Sequence, residues 1–193
     1  MIEKHTNTTE WDTVIESEHS LFDINFKELW HYRDLLVLFV KRDFVTVYKQ
    51  TILGPLWFFI QPLLTTITFT VIFGNVAQLS TDGAPKVIFY MAGITLWNYF
   101  SNCLTSVSGV FNANAGIFGK VYFPRLIMPL TIVVSNLMKF GVQFLLFICF
   151  IIYFTLNHQI APNSWILLTP FIILLMALIS MGIGLILSSM TTK

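Results

Sequence analysis

Long apolar runs joined by short polar stretches fill the chain from Gly54 onward. Residues 54 to 76 form 23 positions without a charge, Lys86 and Lys120 bracket 33 more, Leu126 to Leu156 is broken only by Lys139, and Trp165 to Leu187 gives another 23. A helix rises about 1.5 Å per residue, so each run can cross a hydrocarbon core of about 30 Å. The pattern predicts spans at about 54–76, 87–111, 126–156 and 165–187. The third is longer than a crossing needs, by roughly 16 Å of helix. With that overhang on the cytoplasmic side, Lys139 lies only about 4 Å inside the core and can snorkel to the surface. The other reading of Lys139 is a cation facing a path.

Before Gly54 the pattern changes. Phe26, Leu29, Trp30, Val37, Val40, Phe44 and Val47 keep helical spacing, while Lys27, Glu28, His31, Asp34, Lys41 and Arg42 fall largely on the other side. Asn25 followed by Glu28 resembles a capping box, and Gly54-Pro55 closes the segment. Residues 25–53 therefore read as an amphipathic interfacial helix, with a helix packed on a partner protein as the alternative. Residues 1–24 are polar, acidic and aperiodic, as in a cytosolic tail. They lack a basic region followed by an apolar run, so no cleavable signal peptide is expected. The remainder, 54–193, is a single transmembrane domain, and the fold class is all-α integral membrane.

Within the spans, polar residues fall into stripes: Gln61, Thr65 and Thr68 in the first, and Asn98, Asn102 and Thr105 in the second. Such side chains face protein or water rather than acyl chains. Gln61, Thr65, Asn98, Asn102 and Thr105 are thus candidates to line a conduit, with hydrogen bonding between helices as the equal alternative. Ser180, Gly184 and Ser188 make a small-residue face on the fourth span, the signature of close helix packing.

Composition sharpens the picture. The chain is 55% hydrophobic and 11% charged, with more apolar side chain than one soluble core of 193 residues requires. Nine of the ten acids lie at or before Asp43. Lys and Arg gather before the first span (Arg33, Lys41, Arg42, Lys49), after the second (Lys120, Arg125) and at the end (Lys193), whereas the alternate loops hold Lys86 alone. The positive-inside rule then places both ends and the 112–125 loop in the cytoplasm. An enzyme is not expected: the chain lacks a phosphate-binding Gly-x-x-x-x-Gly-Lys loop, a His-Glu-x-x-His zinc motif and a Gly-x-Ser-x-Gly elbow, and its four histidines are scattered. No catalytic or metal-ligating residue is assigned, Cys103 and Cys149 read as packing residues, and nucleic acid is not an expected partner.

The loop 112–125, NANAGIFGKVYFPR, mixes Ile117, Phe118, Val121, Tyr122 and Phe123 with two cations, more than a plain turn needs. It reads as a docking element. Arg42-Asp43, Tyr48-Lys49-Gln50-Thr51, Leu53-Gly54-Pro55-Leu56-Trp57 and Gln61-Pro62-Leu63 together resemble the start of the membrane subunit of ABC-2 type exporters for polysaccharides such as O-antigen, capsule or teichoic acid. Lys120-Val121-Tyr122-Phe123-Pro124-Arg125 with Pro129-Leu130 resembles the same family's segment between its second and third spans. The resemblance implies a permease of a bacterial inner membrane that dimerises with itself and exports a lipid-diphosphate-linked glycan. Its energy would come from a separate ABC ATPase, which alone would hold ATP and magnesium. It implies ATPase docking by Phe118, Gly119, Lys120, Val121, Tyr122, Phe123, Pro124 and Arg125, and a substrate entrance beside Arg42, Tyr48 and Lys49. Family members resemble six-span proteins, so the chain is expected to represent the first four spans and to be a fragment. Two other readings are an ABC-2 permease for small lipophilic molecules and a membrane interaction subunit that moves nothing.

Overall fold

The structure is a computed structural model that describes residues 26–49, 56–158, 160 and 164–191. The tail 1–24, the Asn25 cap and the Gly54-Pro55 joint lie outside the described residues, as do the side chains of Tyr48 and Lys49. Every regular element among the described residues is helical. The surface segment divides into α1 (Phe26–His31) and α2 (Arg33–Lys49), separated at Tyr32. After it come α3 (Trp57–Phe69), a π-helix (Thr70–Val76) and α4 (Lys86–Ser108). Two single turns follow, α5 (Val110–Ala113) and α6 (Ala115–Phe118), and then α7 (Ile127–Leu156). A 3-10 turn (Ser164–Leu168) leads into α8 (Thr169–Thr191).

Among the described residues three helical stretches are both long and apolar enough to cross a membrane: Trp57–Val76, Ile127–Leu156 and Ile166–Thr191. The sequence led to an expectation of four. With 23 residues α4 has the length, about 34 Å, but Lys86 and its Asn, Ser and Thr residues dilute its hydropathy. That loss has a structural counterpart, because α4 is the helix the others surround. It packs against α3, α7 and α8, and Ile88, Met91, Ile94, Thr95, Tyr99, Cys103 and Val107 along it are buried. A helix packed against protein along one side needs less apolar surface than one bathed in lipid all round.

Two kinds of packing hold this arrangement. Where α4 meets α8, small residues let the backbones approach: Ser180, Gly184 and Ser188 are the buried positions of α8. A Cβ at Gly184 would stand 2.8 Å from the Val107 side chain and 3.3 Å from the Leu104 carbonyl oxygen. Beside this contact Tyr99, Cys103 and Phe140 form a buried cluster with Phe144, Ile173 and Met176 around it. At the other place, where the chain passes from α4 to α7, a second cluster is built from large rings and branched side chains, and the candidate site sits on it.

Candidate functional site

Gly109 and Asn114 interrupt what would otherwise be one helix from Lys86 to Phe118. Gly109 leaves the helical region at φ −102°, ψ 4°, Asn114 does so at φ −113°, ψ 12°, and the Asn114 side-chain amide donates to the Val110 carbonyl at 2.9 Å. Two single turns therefore step away from α4, and the chain extends through Val121–Pro124 before the Ile127 amide, donating to the Pro124 carbonyl at 3.0 Å, starts α7. Phe111 contacts Phe118 at 5.9 Å between ring centroids, and Phe118 stacks on Phe123 at 5.4 Å.

Phe123 continues into the surface helix. Its ring lies 6.1 Å from that of Phe39 on α2, and Phe39, Val110, Phe123, Ile127 and Met128 form one buried cluster that Tyr32, Leu35, Leu36, Ile117 and Phe118 flank. The expected docking loop and the expected interfacial helix are therefore one body. The two sites drawn separately from the sequence share a core, and nothing in their sequence spacing signals it. The structure also divides the eight candidate docking residues. Phe123 is 5% exposed and Phe118 is half-buried, so their rings face inward. Gly119, Lys120, Val121 (57%), Tyr122 (61%) and Arg125 are exposed, while Pro124 is intermediate.

Of the three entrance candidates, Arg42 is described in full. Its guanidinium lies 4.9 Å above the Phe39 ring, and it donates to Asp43 Oδ1 from Nε at 3.0 Å and from Nη2 at 2.9 Å. Arg42 thus rests on the same aromatic that anchors the loop, held there by a cation–π contact and by two charge-assisted bonds to one carboxylate oxygen. The ammonium of Lys139 on α7 donates to Asn136 Oδ1, one turn back on the same helix, at 3.2 Å, and Lys139 is half-buried.

The conduit candidates do not converge within one chain. Gln61, Asn102 and Thr105 are exposed, and Thr65 and Asn98 are intermediate. The Thr65 hydroxyl donates to the Gln61 carbonyl at 2.9 Å, one turn back on its own helix. Among the described residues no hydrogen bond joins the Gln61, Asn98 or Asn102 side chain to another helix.

The chain matches the family model for ABC-2 type transporters over residues 34–193. It is similar to two proteins of Klebsiella pneumoniae named O-antigen export system permease protein RfbA, at 32% identity over 158 residues, or 81% of this chain and 59% of each relative. A protein of the same name from Myxococcus xanthus is 30% identical over 114 residues, 59% of this chain and 43% of that protein. The chain thus spans about three fifths of the length of the Klebsiella relatives it matches. Helices able to span a bilayer, the ring-built joint between α4 and α7, and a family match covering all but the first 33 residues agree: the chain belongs to the ABC-2 type transporter family of multi-pass membrane proteins.

Proposed function

We propose that this chain is the permease part of an ATP-driven exporter of a lipid-diphosphate-linked polysaccharide in a bacterial inner membrane. A separate ABC ATPase docks on the exposed edge Gly119, Lys120, Val121, Tyr122 and Arg125 and supplies the ATP and magnesium. The observation that carries this reading is the shared core. A push on Tyr122 or Arg125 is delivered through the Phe118–Phe123–Phe39 rings to α2 and Arg42, because packed rings transmit displacement instead of absorbing it. The surface helix that meets the anionic headgroup and the loop that meets the motor then move together. The resemblance to O-antigen export permeases supports the glycan as cargo, and the basic residues flanking α3 and α7 support a cytoplasmic loop and cytoplasmic ends. A second copy of the chain would cover the exposed amides of α3 and α4, completing the path that one copy leaves open.

The test is co-reconstitution with the cognate ATPase, reading both binding and hydrolysis stimulated by lipid-linked glycan. The Tyr122→Ala, Arg125→Ala double variant is expected to lose ATPase binding by at least about tenfold, in line with removing an aromatic and an Arg from an interface centre. Equal binding and stimulation by parent and variant would reject the docking assignment.

A further inference from the structure

The hairpin of α3 and α4 ends, opposite the joint to α7, in a segment wound unlike the rest of the chain. α3 passes at Thr70 into the π-helix Thr70–Val76, seven residues in a winding that usually appears as a single turn. Lys86, the first residue of α4, reaches back across the turn to it. Its ammonium donates to the Gly74 carbonyl at 2.6 Å and to Asn75 Oδ1 at 3.2 Å. Carbonyls at the end of a helix lack partners within it and carry the negative end of its dipole, so a cation there makes a charge-assisted bond.

The contact is closely fitted. A Cβ at Gly74 would stand 2.9 Å from Lys86 Cδ and 3.3 Å from Tyr90 Cε2, so the glycine makes room for the lysine stem. Tyr90 closes the other side, its ring 6.4 Å from Phe73, which in turn lies 5.2 Å from Phe69. Two hydroxyls of this joint, Thr70 Oγ1 and Tyr90 Oη, are buried without a hydrogen-bond partner among the described residues. Buried unpaired hydroxyls and π winding both raise the energy of the closed segment. Lys86 is the one Lys or Arg between Leu56 and Gly119, and Asp82, the one acid there, hydrogen-bonds Ser80.

We propose that Lys86 is a latch: its ammonium holds Thr70–Val76 in the π winding, and its withdrawal lets that segment open and releases the Phe73–Tyr90 closure. The inference stands on the hairpin's own contacts and does not need the transport reading. In a transporter it would place a two-state element at the end of the first span remote from the motor.

Hydrogen–deuterium exchange of the full chain in lipid nanodiscs tests it. Lys86→Met is expected to speed exchange of peptides covering 70–79 at least about tenfold, the size of a lost bond to a charged group, with α7 and α8 unchanged. Lys86→Arg is expected to restore protection. Gly74→Ala, which keeps the cation and displaces only its stem, is expected to give the same local acceleration and carries the test should Lys86→Met fail to insert. Unchanged exchange over 70–79 in the lysine variant, or acceleration spread evenly into α8, would overturn the latch.

Discussion

The joint between α4 and α7 and the contact between α4 and α8 solve the same packing problem with opposite materials. The joint uses bulk: Phe123 stacks on Phe118 and meets Phe39 at a tilt, closed by Val110, Ile127 and Met128. The α4–α8 contact uses absence of bulk, with Ser180, Gly184 and Ser188 letting one backbone settle on Val107. The difference follows from the solvent each region would otherwise meet. At the surface, burying a ring removes it from water and gains hydrophobic free energy. Between helices in lipid, apolar side chains leave one apolar medium for another, so close backbone approach and dispersion contacts supply the attraction. The joint is thus closed by rings and the α4–α8 contact by close approach of backbones.

Three substitutions probe that contrast, in descending order of effect. Phe123→Ala is expected to lose about 3–5 kcal/mol, the range for emptying a buried aromatic site, and to appear as a lowered melting temperature together with faster proteolysis at Tyr122 and Arg125. If the melting temperature is unchanged, the rings do not form a surface core and the coupling of loop to α2 loses its basis. Gly184→Ala is expected to cost about 1–3 kcal/mol through overpacking against Val107, measured by thermal denaturation in the same lipid. Its control is Gly182→Ala, where a Cβ meets nothing within 4 Å and stability should hold or rise slightly. Equal costs at the two glycines would break the close-packing account. The smallest effect belongs to Asn136→Ala, which removes the acceptor of the Lys139 ammonium. A hydrogen bond to a charged group is worth about 1.5–3 kcal/mol at most, and this one lies within a single helix, so a loss well above about 3 kcal/mol would show that the Asn136–Lys139 pair is bound into a larger network.

Much of this was legible without a fold. Run length and charge placement marked the apolar helices, because a bilayer imposes a length and excludes charge whatever the partners are. The same reasoning counted α4 among the spans by its uncharged length, and its polar stripe leaves it less apolar than α3, α7 or α8. Loop composition pointed to 112–125 as more than a turn, but it assigned Phe118 and Phe123 to the docking surface along with their exposed neighbours. Alternation within an irregular stretch carries no period from which an inner and an outer face can be read. Ser180, Gly184 and Ser188 were readable as a packing face because helical spacing alone aligns them.

What the sequence determined by itself is local and repetitive: all-α elements, their apolar lengths, the cationic ends and the small-residue stripe. Each depends only on residues a few positions apart. The tertiary structure alone decided that Phe39 meets Phe123 and that Lys86 ties back to Gly74. Those contacts join residues 12 to 84 positions apart, and they depend on helix crossing and on backbone winding, which many similar hydrophobic patterns share equally.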